Sequence, residues 1–85
     1  MDSKTVKISN SRIGGDRSHI EINCLAFSIE NKGTATAYIG ENIDLKAGDT
    51  RTFENIDGLY YDTRLTLEFD ATGVKDLLII EMKKI

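Results

Sequence analysis

Between residues 25 and 53 the chain runs in short stretches of alternating apolar and polar residues, each cut off by a glycine or an Asn/Asp-containing turn. A strand sends successive side chains to opposite faces, so a period of two punctuated by turn residues commits a chain to antiparallel β-structure. Leu25, Phe27 and Ile29 share one face, with Ser28 and Glu30 opposite. Ala35, Ala37 and Ile39 face away from Thr34, Thr36 and Tyr38, and further on Leu65, Leu67 and Phe69 face away from Arg64, Thr66 and Glu68. Turn signals recur at Gly14-Gly15-Asp16, Asn31-Lys32-Gly33, Gly40-Glu41-Asn42, Ala47-Gly48-Asp49, Asp57-Gly58 and Ala71-Thr72-Gly73. Glycine supplies the positive φ of tight turns, and Asn or Asp bonds its own nearby backbone. No window sustains an amphipathic helical stripe, and the stretch 55–62, with room for one helical turn, contains Asp57-Gly58 and reads as a loop.

Two details refine the architecture. From Ile20 to Ala26 the apolar residues fall on even positions, and from Leu25 onward they fall on odd ones. A phase change of this kind marks a bulge or a corner where a strand passes between sheets. Leu77-Leu78-Ile79-Ile80 is apolar on both faces, as in a central strand or one covered by a partner, and Asp76, Glu81, Lys83 and Lys84 flank it as charged gatekeepers. The expected fold is all-β: a small antiparallel β-sandwich, immunoglobulin-like or jelly-roll-like, with a barrel as the alternative because both use the same alternation. Its 85 residues form one domain, 1–85, with 1–20 expected as a partly flexible N-terminal segment.

A chain this short hides only about 60–65% of its unfolded surface, so its stability margin is thin. Cys24 is the only cysteine and His19 the only histidine, so neither an internal disulfide nor a histidine-rich metal staple is available. Small domains without staples often gain stability by associating. The net charge is −3 and the eleven basic residues are dispersed, which offers no positive stripe for nucleic acid. The N-terminus reads as lacking a signal peptide, and no apolar run approaches the roughly 18 residues of a membrane span. Synthesis in the cytoplasm and no membrane partner are the expectations.

No constellation of residues identifies a reaction. Cys24 and His19 lie five apart, and on one extended strand they point to opposite faces, which favours a buried thiol and a loop histidine over a nucleophile and its base. Gly14-Gly15-Asp16-Arg17-Ser18 lacks the Gly-Lys-Ser/Thr and following helix of a phosphate-cradling loop. The acidic residues Asp44, Asp49, Glu54, Asp57, Asp62 and Glu68 lack the EF-hand rhythm. The expectation is no enzyme, no metal and no cofactor. The candidates for interaction are Tyr60 and Tyr61, one of which turns outward in a strand and can stack on a sugar ring or anchor a protein contact. Leu77 and Ile79 join them: if Leu78, Ile80 and Met82 fill the core, these two lie on the opposite face and need a second sheet or another subunit to cover them.

The residues from Phe27 to Phe53 carry a familiar pattern: Ile29, Asn31, Gly33-Thr34-Ala35, Ala37 and Ile39, then Leu45, Gly48 and Phe53 after a short turn. In this respect the chain resembles small β-sandwich proteins and domains carried by tailed bacteriophages and prophages, in which Asn31 and Gly33 would form a hairpin turn and Leu45, Gly48 and Phe53 a second strand-turn-strand. A proline common before the glycine in that pattern is replaced here by Ala47. The resemblance implies a structural or assembly protein of the virion (capsid decoration, neck or tail) that contacts copies of itself or other virion proteins. The alternative is a carbohydrate- or protein-binding module with a glycan as partner.

Overall fold

The computed structural model describes residues 6–84, which form eight strands: β1 (Val6–Gly14), β2 (His19–Cys24), β3 (Ala26–Asn31), β4 (Ala37–Ile39), β5 (Ile43–Leu45), β6 (Thr50–Phe53), β7 (Tyr61–Phe69) and β8 (Asp76–Lys84). Their antiparallel pairing is nested. The innermost pair is β4 with β5, outside it β3 pairs with β6, then β2 with β7, and finally β1 with β8. Two more pairings, β3 with β8 and β4 with β7, roll this folded-over ribbon into two four-stranded sheets of order β1-β8-β3-β6 and β2-β7-β4-β5. That is the strand order of a jelly roll. It is not the immunoglobulin order, and the two sheets do not close into a barrel.

The nesting explains the turns. Only β4 and β5, joined through Gly40, form a hairpin between neighbours in sequence; every other connection carries the chain from one sheet to the other. The phase change at Cys24-Leu25 is one such passage, from β2 in one sheet to β3 in the other, with the Leu25 amide held by the Met82 carbonyl at 2.8 Å. Asn31 and Gly33, expected as a hairpin turn, instead form a corner, and so does the stretch around Gly48. The N-terminal segment expected to be partly flexible contains β1, which pairs residue for residue with β8 from Val6–Lys84 to Gly14–Asp76; positions 1–5 lie outside the described residues.

The core lies between the sheets. Ile13, Phe27, Ile29, Leu77 and Ile79 point inward from the β1 sheet and meet Ile20, Ile22, Cys24, Ala37, Ile39, Leu45 and Leu67 of the other. Each large apolar side chain buried there stabilises the fold by about 1.5–3 kcal/mol. Strand β8 is the spine of its sheet, with β1 on one side and β3 on the other. Its parity is the reverse of one in which Leu78, Ile80 and Met82 fill the core: Leu77 and Ile79 are 0% and 1% exposed, while Ile80 and Met82 face outward at 36% and 37%. The second sheet, not another subunit, covers Leu77 and Ile79, so these two residues are unavailable as an intermolecular contact.

At the end of the sandwich where β3 hands over to β4, Asn31 is 1% exposed and fully bonded. Its Nδ2 donates to the carbonyls of Ala35 (2.8 Å) and Leu45 (2.9 Å), and its Oδ1 accepts from the Gly33 amide (2.9 Å). Buried polar groups are tolerated when satisfied in this way. Gly33 allows the close approach: a Cβ there would stand 2.2 Å from the Val74 carbonyl oxygen. The Asn-x-Gly signal in the sequence is thus a knot tying β3, the β4 approach, β5 and the β7–β8 loop together.

Candidate interaction surface

The outward faces of the two sheets differ in chemistry. On the β2 sheet, Glu21 stands opposite Arg64, Asn23 opposite Asp62, and Tyr38 between Asp44 and Glu68. The Arg64 Nε lies 3.6 Å from Glu21 Oε1, and the Tyr38 hydroxyl donates to Asp70 Oδ1 at 2.8 Å, which raises the Tyr38 pKa by favouring the protonated phenol. This is a solvated, mainly acidic face.

The outward face of the β1 sheet is laid out in rows across the strands. One row carries Ile8, Met82 and Ala26; the next carries Asn10, Ile80, Ser28 and Thr52; a third carries Arg12, Leu78, Glu30 and Thr50. Apolar character therefore grows toward the end where β1 begins. There an open hollow of about 340 Å³ is lined mainly by Ile8, Ala26, Phe27, Phe53, Ile80 and Met82. At the other end of the same face the guanidinium of Arg12 makes a two-pronged ion pair with Asp76. Hydrogen bonding from Arg12 holds the Asp76 carboxyl below its usual range.

The β6–β7 connection emerges beside the hollow, which Glu54 and Asn55 help to line. Asp57 (φ 51°) and Gly58 (φ 74°) both adopt positive φ, and the Leu59 amide donates to the Ile56 carbonyl at 2.9 Å. Two central residues with φ > 0 closed by that bond are the signature of a type I′ turn, which the Asp-Gly pair favours. Asn55 braces it: its Nδ2 donates to the carbonyls of Leu59 (2.9 Å) and Leu25 (3.0 Å), and its Oδ1 accepts from the Gly58 amide (2.9 Å). The braced turn holds Ile56, Leu59 and Tyr60 out at 60%, 66% and 44% exposure.

Tyr60 and Tyr61 part company here. Tyr61 packs edge-on against Phe27 with ring centroids 5.3 Å apart, and its hydroxyl donates to the Glu54 carbonyl at 2.6 Å; it is a half-buried side chain closing the core. Tyr60 stands outside with Ile56 and Leu59. Cys24 is wholly buried, and desolvation first, with Glu81 second, pushes its thiol up to about 11. His19, at the far end of β2, points outward and its Nδ1 lies 3.1 Å from Ser18 Oγ. The thiol and the imidazole are not brought together. Gly14 to Ser18 form the β1–β2 corner rather than the mouth of a helix. Among the described residues no group of three or more His, Cys, Asp and Glu side chains is gathered as a metal would require.

Ile8, Ile56, Leu59, Ile80 and Met82 were not legible as surface residues. For Ile56 and Leu59 a partial signal did exist: the Asp57-Gly58 pair between them places both in a loop, off the alternating stripes that build the core. No protein-family model matches the chain, and no curated protein or solved structure does so. The jelly-roll assignment rests on the strand order alone.

Proposed function

We propose that this chain is a non-enzymatic structural or assembly protein that works through protein–protein contacts made by the apolar end of its sandwich. The observation carrying this reading is the clustering of exposed apolar side chains. Seven of the nine large hydrophobic residues exposed among the described residues, Val6, Ile8, Ile56, Leu59, Tyr60, Ile80 and Met82, belong to this one end. Their side chains are 36–66% exposed, and exposed apolar residues gathered at one place on a soluble protein, rather than scattered singly, mark an interaction site. An aromatic and aliphatic centre beside polar residues such as Glu54 and Asn55 is the composition of a protein interface.

The jelly-roll strand order is used by capsid and lectin domains among others, and it does not by itself choose a function. The resemblance of residues 27–53 to phage β-sandwich proteins supports a place in a repeating particle such as a tailed-phage virion, where copies of the chain or other virion proteins cover the apolar end. The test is molar mass by light scattering across a dilution series, for the parent chain and for a Leu59→Ser, Met82→Ser double variant. A mass several times the monomer that falls in the variant supports assembly through this end. A strict monomer retained on immobilised polysaccharide, with retention lost in Tyr60→Ala, supports a glycan-binding module in its place.

A further inference from the structure

We infer that β1 is a dimerisation strand: its free edge pairs antiparallel with β1 of a second copy, about a two-fold axis through Asn10. This rests on the assembly reading above and adds a second contact to it, made by the backbone edge of β1, whose Val6 and Ile8 side chains also belong to the apolar end.

The four sheet edges of the molecule are not alike. Strand β5 has 3 residues and β6 has 4, too short to template a ladder of any length. Very short edge strands are one usual protection against edge-to-edge pairing. Strand β2 has 6 residues and packs on β8 in the facing sheet. Because β2 lies over β8, β1 overhangs the sandwich: Lys7 and Ser11, on its inner side, are exposed along with Val6, Ile8, Asn10 and Arg12 on its outer side. It has 9 residues, no proline and an unbroken one-to-one register with β8, and among the described residues its other edge has no strand beside it. A long edge open on both faces is the structure protected sandwiches avoid unless something pairs with it.

The sequence of β1 fits itself. Asn10 is the midpoint of Val6–Gly14, so a two-fold axis there pairs all 9 residues. Asn10 then faces Asn10 of the second copy, and Ser9 faces its Ser11, which sets amide and hydroxyl groups within hydrogen-bonding reach. Lys7 falls opposite Ile13 and Arg12 opposite Ile8, so no like charges meet. An isologous pair of this kind closes on itself. The strands run in opposite directions, so the apolar ends of the two copies point away from each other on one continuous eight-stranded sheet. The dimer is a bivalent unit.

The experiment is oxidative cross-linking of Asn10→Cys, with Ile8→Cys as the register control. Residues directly opposite in an antiparallel pair have Cα atoms about 4.5–5.5 Å apart, within the reach of a disulfide. The two Ile8 positions would be offset by four residues, about 13 Å along the strands. Cys24 is buried and its thiol is protonated, so it does not compete. Asn10 and Ile8 are exposed, and thermal melting checks that the variants keep the fold. The expected result is a covalent dimer from Asn10→Cys only, together with a twofold fall in the mass of the pairing unit for Asn10→Lys, which sets two ammonium groups across the axis. Repeating the cross-link in the Leu59→Ser, Met82→Ser background separates the two contacts, since the edge dimer persists there even if the apolar end plays no part. Absence of the Asn10→Cys dimer, cross-linking through Ile8→Cys in its place, or an unchanged mass in Asn10→Lys would overturn the assignment.

Discussion

Two asparagines hold the two ends of this sandwich by the same device and to different effect. Asn31 and Asn55 each accept a glycine amide through Oδ1, and each donates through Nδ2 to the carbonyl four residues on and to a carbonyl of a distant segment. Asn31 does this at 1% exposure, and the corner it ties is packed against Val74 and Leu45. Asn55 does it in the open, and the turn it ties projects apolar side chains that touch little of their own chain. The same three bonds are structural necessity where water is excluded and presentation where water is present. A bond's contribution depends on what replaces it when it is lost.

Gly33→Ala is expected to have the largest effect, since the added Cβ would meet backbone at 2.2 Å and the corner cannot move without moving Val74. A loss of about 3 kcal/mol or more, measured by urea unfolding, is the expectation. Asn31→Ala follows: the Ala35 and Leu45 carbonyls lose their Asn31 donor in a buried corner, while the Gly33 amide keeps the Asp76 carbonyl, at a cost of about 2–3 kcal/mol, or roughly 10–20 °C in melting temperature for a domain of this size. Asn55→Ala should cost only about 1 kcal/mol, because water takes over the freed groups, yet it should loosen the Ile56–Leu59 turn and weaken any assembly measured by light scattering. An equal loss of stability in the two asparagine variants would sink the comparison.

The smallest effect belongs to the Arg12–Asp76 pair, a further fastening at the Asn31 end, where the Asp76 carbonyl also receives the Lys32 and Gly33 amides. Asp76 is held below its ordinary carboxylate range, so its contribution is fully present above about pH 4, the unfolded value, and is lost as pH falls through the lower folded value. The parent chain should therefore melt slightly above Asp76→Asn at pH 7, with the gap closing in strong acid. The pair is partly exposed, so high salt should narrow the gap as well.

Much of this fold was legible because strand periodicity is a local property. Phe27 and Ile29, Leu65 and Leu67, and the phase change at Leu25 all declare themselves within a few residues. The turns declared their positions but not their destinations. A glycine permits a reversal, and whether the chain returns beside itself or crosses to the other sheet is decided by partners tens of residues away. The same holds for Leu77-Leu78-Ile79-Ile80, where four apolar residues give no parity of their own; Ile29 and Asn31, their neighbours across the ladder, decide which pair is buried. Strand β1 stayed unread because both its faces meet water, which leaves Val-Lys-Ile-Ser-Asn-Ser-Arg without a core-facing stripe. The candidate surface was obscured for a related reason, since Ile8, Ile80 and Met82 become exposed only through the register of β1, β8 and β3.

The nested pairing also fixes when the molecule can come into being. Only β4 and β5 are partners close in sequence, so the ladder has one place where closing a short loop is rewarded at once, around Gly40. Each further rung joins strands ever farther apart, and β1 with β8 is the last. High contact order of this kind puts folding on the millisecond-to-second scale. During synthesis, the first half of the chain emerges with every strand still awaiting a partner from the second half. Of the eight strands described, the one between β1 and β3 is made last, and until it is threaded there the β1 sheet has no middle.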